Sequence, residues 1–350
     1  MAPPTAPATA PRVVALGGGH GLAASLAAWR RITPHLTAVV TVADDGGSSG
    51  RIRREMPVLP PGDLRMALAA LAGEGDATRE MTRLLQHRFG GSGVLAGHPV
   101  GNLVLTGLTE MHGGDTVRAL DDLCRLLGAC GRVLPMADVP LDLVATVESL
   151  DPDDPARVRT IRGQVAIATT PGHVRDILVA PADPPVNAAV IEAIHAADVV
   201  CLGPGSWYTS VLPHLLVPRL RAALAATRAR VVVVLNLEAQ PGETDGFGPE
   251  EHLAVLTAHL DGVALHTVIA DAESVVDHCG LLTAVRGCGA ELVLAPVAEP
   301  GGAPRHDPVR LAEAFEQAVG AGRGTDVDGR VPERAAPGRY EGERGRRTWR

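Results

Sequence analysis

The chain is predicted to fold as α/β, with a doubly wound, mainly parallel sheet. Three observations carry this expectation. Short apolar runs of strand length alternate with stretches of helical spacing, as parallel strands joined by crossover helices require. Glycine-rich turns follow two of those runs directly, after Leu16 and after Leu202. With 350 residues, 46% hydrophobic and 21% charged, the chain can bury the sizeable core of a globular protein.

In chain order, Met1 to Pro11 is a Pro/Ala/Thr stretch expected to be disordered. Val13 to Leu16 is a buried strand, Gly17-Gly18-Gly19-His20-Gly21 a turn, and Leu22 to Arg31 a helix by its apolar spacing. Strand, glycine turn and helix in that order present helix N-terminal amides to a phosphate, although tight turns without a ligand share the pattern. A Walker-A loop is excluded, because the turn has no lysine and no G-K-S/T follows it. The run Leu36 to Ala43 is a second strand that delivers Asp44-Asp45-Gly46-Gly47-Ser48-Ser49-Gly50-Arg51 to its carboxyl end, where open α/β sheets bind ligands. Asp44 and Asp45 suit a hard cation such as magnesium or a polar ligand, and the Gly and Ser amides suit anionic oxygens. A flexible, solvated turn is the plain alternative.

Pro60-Pro61-Gly62-Asp63-Leu64-Arg65 opens a helix over Leu64 to Ala72. Asp63 is placed to cap it, whereas Arg65 in the first turn opposes the helix dipole and suits an external anion better. His98-Pro99-Val100-Gly101-Asn102 leads into the helical run Leu103 to Leu108, with Asn102 either a turn residue or a ligand contact. Val165 to Ala168 reads as a strand, Val186 to Ala196 as a helix, and Asp198 to Leu202 as a strand ending in Gly203-Pro204-Gly205-Ser206-Trp207-Tyr208-Thr209-Ser210. The hydroxyls of Ser206 and Thr209 and the adjoining amides can hold phosphate or ribose without formal charge. A helix follows over Leu212 to Ala226, and the strand Arg230 to Leu237 carries Asn236 to its end, ahead of Gln240, Glu243 and Thr244. The helix Pro249 to Leu260 and the strands Leu265 to Ala270 and Glu291 to Pro296 complete the pattern. A single domain over 12–320 is expected, with a helical subdomain at about 63–150. From Ala321 to Arg350 a disordered arginine-rich tail carries eight arginines against five acidic residues.

Composition narrows the chemistry. All 32 basic residues are arginine, so Schiff-base catalysis fails for want of an amine, and charge toward a phosphate must come from arginine, histidine, amides or a metal. A net charge of -8 with 2% aromatic residues argues against a nucleic-acid partner. No apolar run reaches membrane-spanning length and no secretory leader is evident, so a cytoplasmic protein without membrane insertion is expected. Cys124, Cys130, Cys201, Cys279 and Cys288 are odd in number and lack a C-x-x-C pair, against a disulfide framework or zinc ribbon. Self-association into a homo-oligomer is left open.

Taken together, GGGHG after the first strand, ADDGGSSGR, PPGDLR, HPVGN, LGPGSWYTS and NLEAQPGET, in this order over roughly Val13 to Pro296, resemble the gluconeogenesis-factor family of the YvcK type. That family is a branch of the group containing the phospholactate transferase CofD. The resemblance implies a Rossmann-like fold and binding of a uridine-diphosphate sugar, particularly UDP-N-acetylglucosamine. It also implies control of cell shape and cell-wall precursor supply during gluconeogenic growth. The related transferases move a phospholactyl-type group from a guanylylated donor to a deazaflavin alcohol with magnesium. On that resemblance Asp44 and Asp45 lie at the metal or reacting centre, with Gly17 to Gly21 and Gly203 to Ser206 near the nucleotide. Two departures weaken transfer: His20 stands where such sequences often have threonine or serine, and Met66 where they often have asparagine. A dehydrogenase is disfavoured, since no proper G-x-G-x-x-G is present.

Overall fold

The computed structural model describes residues 10–150, 154, 157–170, 172–240, 243–244, 246–301 and 303–320. The tails expected at 1–11 and 321–350 lie outside these residues, apart from Ala10 and Pro11.

The chain opens with β1 (Val13–Gly17), α1 (Gly19–Trp29) and β2 (Leu36–Val40). Five helices follow: α2 (Gly47–Glu55), α3 (Pro61–Leu71), α4 (Asp76–Gln86), α5 (Val100–Met111) and α6 (Thr116–Leu126). Then come β3 (Arg132–Pro135), β4 (Asp142–Glu148), β5 (Arg159–Arg162), α7 (Gln164–Ala168) and β6 (His173–Ala180). After α8 (Ala188–Ala196) and β7 (Val199–Leu202), a π-helical turn at Trp207–Val211 runs into α9 (Leu212–Leu216) and α10 (Pro218–Ala226). The chain continues through β8 (Arg230–Val234), α11 (Pro249–Ala258), β9 (Thr267–Asp271), α12 (His278–Gly287), β10 (Glu291–Ala295) and α13 (Pro308–Gly320).

Seven strands form one parallel sheet in the order β10-β9-β8-β7-β1-β2-β3. Its central strands are apolar on both faces: Val13, Val14, Ala15 and Leu16 are all buried, as are Val199 to Leu202 and Val231 to Val234. Helices cover both faces of a parallel sheet, so near-continuous Val and Leu runs are what such strands need. The α/β, mainly parallel architecture expected from the sequence is the one observed.

Four local expectations are corrected. Val165 to Ala168 is helical, because Gly163 at φ +101° turns the chain and only Ile167 of the run is buried, leaving no alternating face for a strand. Leu212 to Ala226 is two helices, since Pro218 lacks the N–H that would continue the first. The Gly/Ser segment after Asp45 is no solvated turn but the start of α2, whose Ser48, Ser49 and Ile52 are buried. Asp63 does not cap α3; Pro60 holds that position and Asp63 sits inside the first turn.

The sequence reading also passed over a three-stranded antiparallel sheet, β5-β4-β6. In β4 the buried residues Leu143, Ala145 and Val147 alternate with partly exposed ones, the period of a half-covered strand. Arg53 of α2 ties this small sheet to the α/β body through an ion pair of 2.8 Å with Asp142.

Candidate functional site

From β1 the chain works outward through β2 and β3, and from β7 outward the other way through β8, β9 and β10. Adjacent strands whose connections diverge leave a crevice at their carboxyl ends. Both glycine turns open there. They touch: a Cβ on Gly21 would stand 2.2 Å from the Pro204 carbonyl oxygen and 2.9 Å from Gly205 Cα, so only glycine permits the approach. Ser25 of α1 reinforces the contact by donating its hydroxyl to the Gly203 carbonyl at 2.9 Å.

The start of α1 faces this crevice without a side-chain cap. The first four amides of a helix have no partner within it, and the dipole adds positive potential. Asp63 takes one of them, the amide of Gly19. His20 and Gly21 carry the next and line a cleft of about 850 Å³. Gly18 is packed so closely that a Cβ there would lie 2.4 Å from Asp63 Oδ2, and Gly19 adopts φ +59°.

Across the cleft the second turn is already satisfied from within the protein. Asn236 clasps Gly205, accepting from its amide and donating to its carbonyl, each at 2.8 Å. The Glu243 carboxylate accepts from the Ser206 hydroxyl and, at 2.9 Å, from the Tyr208 amide, while Ser206 Oγ accepts from the Thr209 amide at 3.0 Å. Burial raises the Glu243 carboxyl above its usual range and these hydrogen bonds oppose the rise. Thr244 is buried and its hydroxyl accepts from the Gln240 amide at 2.8 Å, which closes the following turn.

The acidic segment forms a second, more enclosed cluster behind α1. Asp44 accepts from the Gly46 amide at 2.9 Å, and Ser49 from the Gly62 amide at 3.0 Å. Asp45 turns away and accepts from the Val165 amide at 3.1 Å. Asp44 lies within reach of two carboxyl charges, that of Asp45 and that of Asp63. Burial, then the charge of Asp44, pushes Asp63 up to about 7, and burial also raises Asp44. Beside this pair runs a buried chain of hydrogen bonds: Arg65 Nε donates to Asn102 Oδ1 at 2.9 Å, Asn102 Nδ2 to Ser48 Oγ at 3.0 Å, and Ser48 meets His98 Nδ1 at 2.7 Å. Burial lowers Arg65 to about 10. Arg51 is spent on the Ala96 carbonyl, at 2.8 Å.

The residues singled out from sequence thus fall into two groups. His20, Gly21, Gly205, Ser206, Thr209, Asn236, Gln240 and Glu243 line the cleft. Asp44, Ser48, Ser49, Asp63, Arg65 and Asn102 form the enclosed cluster, joined to the cleft through the Gly18–Gly19 backbone. Gly46 and Gly47 begin α2, with Gly47 at φ +45°. The sequence reading missed Gln164 of α7 and Glu299, Arg305 and His306 ahead of α13, which also line the cleft. Asp307, whose carboxylate caps the amides of Val309 and Arg310, marks that helix start in the sequence.

Among the described residues, no group of three or more His, Cys, Asp or Glu side chains is arranged to hold a metal ion. Two carboxylates are nonetheless a sufficient protein share for magnesium, which completes its shell with water and ligand phosphates. Asp44 and Asp63 fit that role better than Asp44 and Asp45, given where Asp45 points.

Two glycine turns meeting at the switch point of a parallel sheet, one of them opening an uncapped helix, define a protein of Rossmann-like fold with a candidate ligand crevice. A family model described as 2-phospho-L-lactate transferase CofD matches residues 13–283. A "Putative gluconeogenesis factor" of Mycobacterium tuberculosis (strain ATCC 25618 / H37Rv) is 57% identical over 307 residues, 87% of this chain and 89% of that protein. A "Gluconeogenesis factor" of Listeria innocua is 38% identical over 252 residues, 72% of this chain and 74% of that one. A crystal structure of a UPF0052 family member from Bacillus halodurans matches with a TM-score of 0.76 at 32% identity, covering 87% of this chain and 97% of that one. The chain belongs to the gluconeogenesis-factor family, within the CofD group. No helix among the described residues is long and apolar enough to cross a membrane.

Proposed function

We propose that the protein binds a uridine-diphosphate sugar, UDP-N-acetylglucosamine in the first instance, and acts as a regulator of cell shape and cell-wall precursor supply during gluconeogenic growth in the cytoplasm. The observation that carries the binding reading is the uncapped start of α1, whose residues His20 and Gly21 line a cleft large enough for a nucleotide sugar. Diphosphate oxygens meet those amides, and the sugar and base extend toward Asn236 and Gln240 on one side and α7 on the other. The regulatory part rests on the family to which the chain belongs.

A second reading, transfer of a phospholactyl-type group from a guanylylated donor to a deazaflavin alcohol, is favoured by one observation: the enclosed Asp44–Asp63 pair beside the phosphate-facing turn. Magnesium held there would neutralise a leaving diphosphate. One thermal-shift series separates the two readings. UDP-N-acetylglucosamine is expected to raise the melting temperature more than UDP or GDP, because a ligand bound only by the native state stabilises it by mass action. A larger shift with GDP and magnesium would favour transfer, and no shift with any nucleotide would refute both.

A further inference from the structure

The cleft is lined by a histidine with one ring nitrogen left unpaired. His306 lines the cleft and is only 8% exposed, yet its Nε2 has no hydrogen-bond partner among the described residues. Buried polar side-chain atoms are nearly always paired, so an orphan on a residue of the cleft wall points to a ligand group.

The chemistry of that group follows from the other ring nitrogen. The Leu235 carbonyl favours a proton on the ring, and with Nε2 unpaired the tautomer that serves this carbonyl is the one protonated at Nδ1. A carbonyl only accepts, so in that tautomer Nδ1 is the donor. Burial lowers the ring to about 4 despite the opposing charge of Asp271, which leaves it neutral near pH 7. Nε2 is then a bare acceptor.

Its position is well fixed. The segment ahead of α13 folds back on itself, with an antiparallel bridge between Ala298 and His306. The Glu299 amide donates to the Arg305 carbonyl and the Asp307 amide to the Val297 carbonyl, each at 2.8 Å. A second buried atom on the cleft wall, Gln164 Oε1, also lacks a partner among the described residues. Two acceptors without donors now border one cleft.

We propose that His306 reads the bound ligand, its Nε2 accepting a hydrogen bond from a donor on the nucleotide sugar, either a hydroxyl or amide of the sugar or the N–H of the base. This rests on the nucleotide-sugar reading above and adds to it a specificity residue outside the span 13–283 matched by the family model. An acceptor here admits donor groups and penalises carboxylate or carbonyl oxygens in the same place.

Calorimetric titration of the full chain with UDP and with UDP-N-acetylglucosamine tests it, using wild type, His306→Phe and His306→Gln. Phenylalanine fills the ring's volume without an acceptor, whereas glutamine carries an amide oxygen to a similar reach. His306→Phe is expected to weaken binding about tenfold, with His306→Gln recovering most of the loss. A loss confined to UDP-N-acetylglucosamine assigns the donor to the N-acetylglucosamine, and an equal loss for UDP assigns it to the uridine. Unchanged affinity of His306→Phe for both ligands overturns the proposal while leaving the nucleotide-sugar reading standing; failure of wild type to bind either ligand removes both. Should the variants not fold, ¹⁵N-histidine spectra of wild type decide instead. The His306 Nε2 resonance must move on addition of UDP-N-acetylglucosamine, and an unmoved resonance overturns the proposal.

Discussion

At the scale of single residues, Asp63 belongs to two helices at once, seated in the first turn of α3 and bonded to the amide that opens α1. The motif PPGD at a helix start invites a capping aspartate, yet the carboxylate reaches out of its own helix to the Gly19 amide of another. Nothing local in the sequence announces a contact between residues 44 positions apart. Its raised pKa has a testable consequence. An unfolded chain ionises Asp63 near the ordinary 3.8, whereas the folded chain keeps the proton up to about 7. Within that window the folded state binds more protons, so the stability Asp63 contributes is complete below the lower value and is lost as pH rises through the upper one. Urea midpoints of wild type are therefore expected to fall more steeply between pH 4 and pH 7 than those of Asp63→Asn. Parallel slopes for the two proteins would show that the carboxyl is not held protonated.

At the scale of elements, α1 links the cleft to the C-terminal helix. Its N-terminus offers amides to the ligand, and its C-terminal Trp29 stacks on Phe315 of α13, ring centroids 4.1 Å apart at 14°. Both rings are fully buried. Truncating such an aromatic removes its transfer free energy and leaves a cavity, so Phe315→Ala is expected to cost about 3–5 kcal/mol, read as a lower urea midpoint with an unchanged slope. A cost under about 1 kcal/mol would mean that α13 is not packed as described. The π-helical turn and Glu243 make a contrasting element. There the protein's own carboxylate occupies donors that the sequence offers to a phosphate or ribose, which leaves the α1 turn as the better anion site. Strands were legible where both faces are buried, as in β1, β7 and β8, since a parallel sheet demands unbroken apolar runs. The run Val165 to Ala168 was not, because a short apolar run has no period long enough to tell helix from strand.

At the scale of the whole molecule, the order of strands is what makes a site of separate turns. The sequence shows that glycine turns follow two strands, but only the pairing of β1 with β7 places them against each other. The cleft half of the candidate set was legible for that reason: strand ends with polar turns must collect at one edge of a parallel sheet. The walls contributed by α7 and by the segment ahead of α13 were not legible, since those residues enter the cleft through long-range packing and carry no motif of their own. The central claim is that an anionic nucleotide sugar lies with its diphosphate on the first turn of α1. A crystal structure of the protein with UDP-N-acetylglucosamine tests it most directly. The expected result is diphosphate oxygens within hydrogen-bond distance of the His20 and Gly21 amides, with the ligand running along the cleft between α7 and Asn236; diphosphate bound elsewhere on the molecule, with that turn left free, would contradict it.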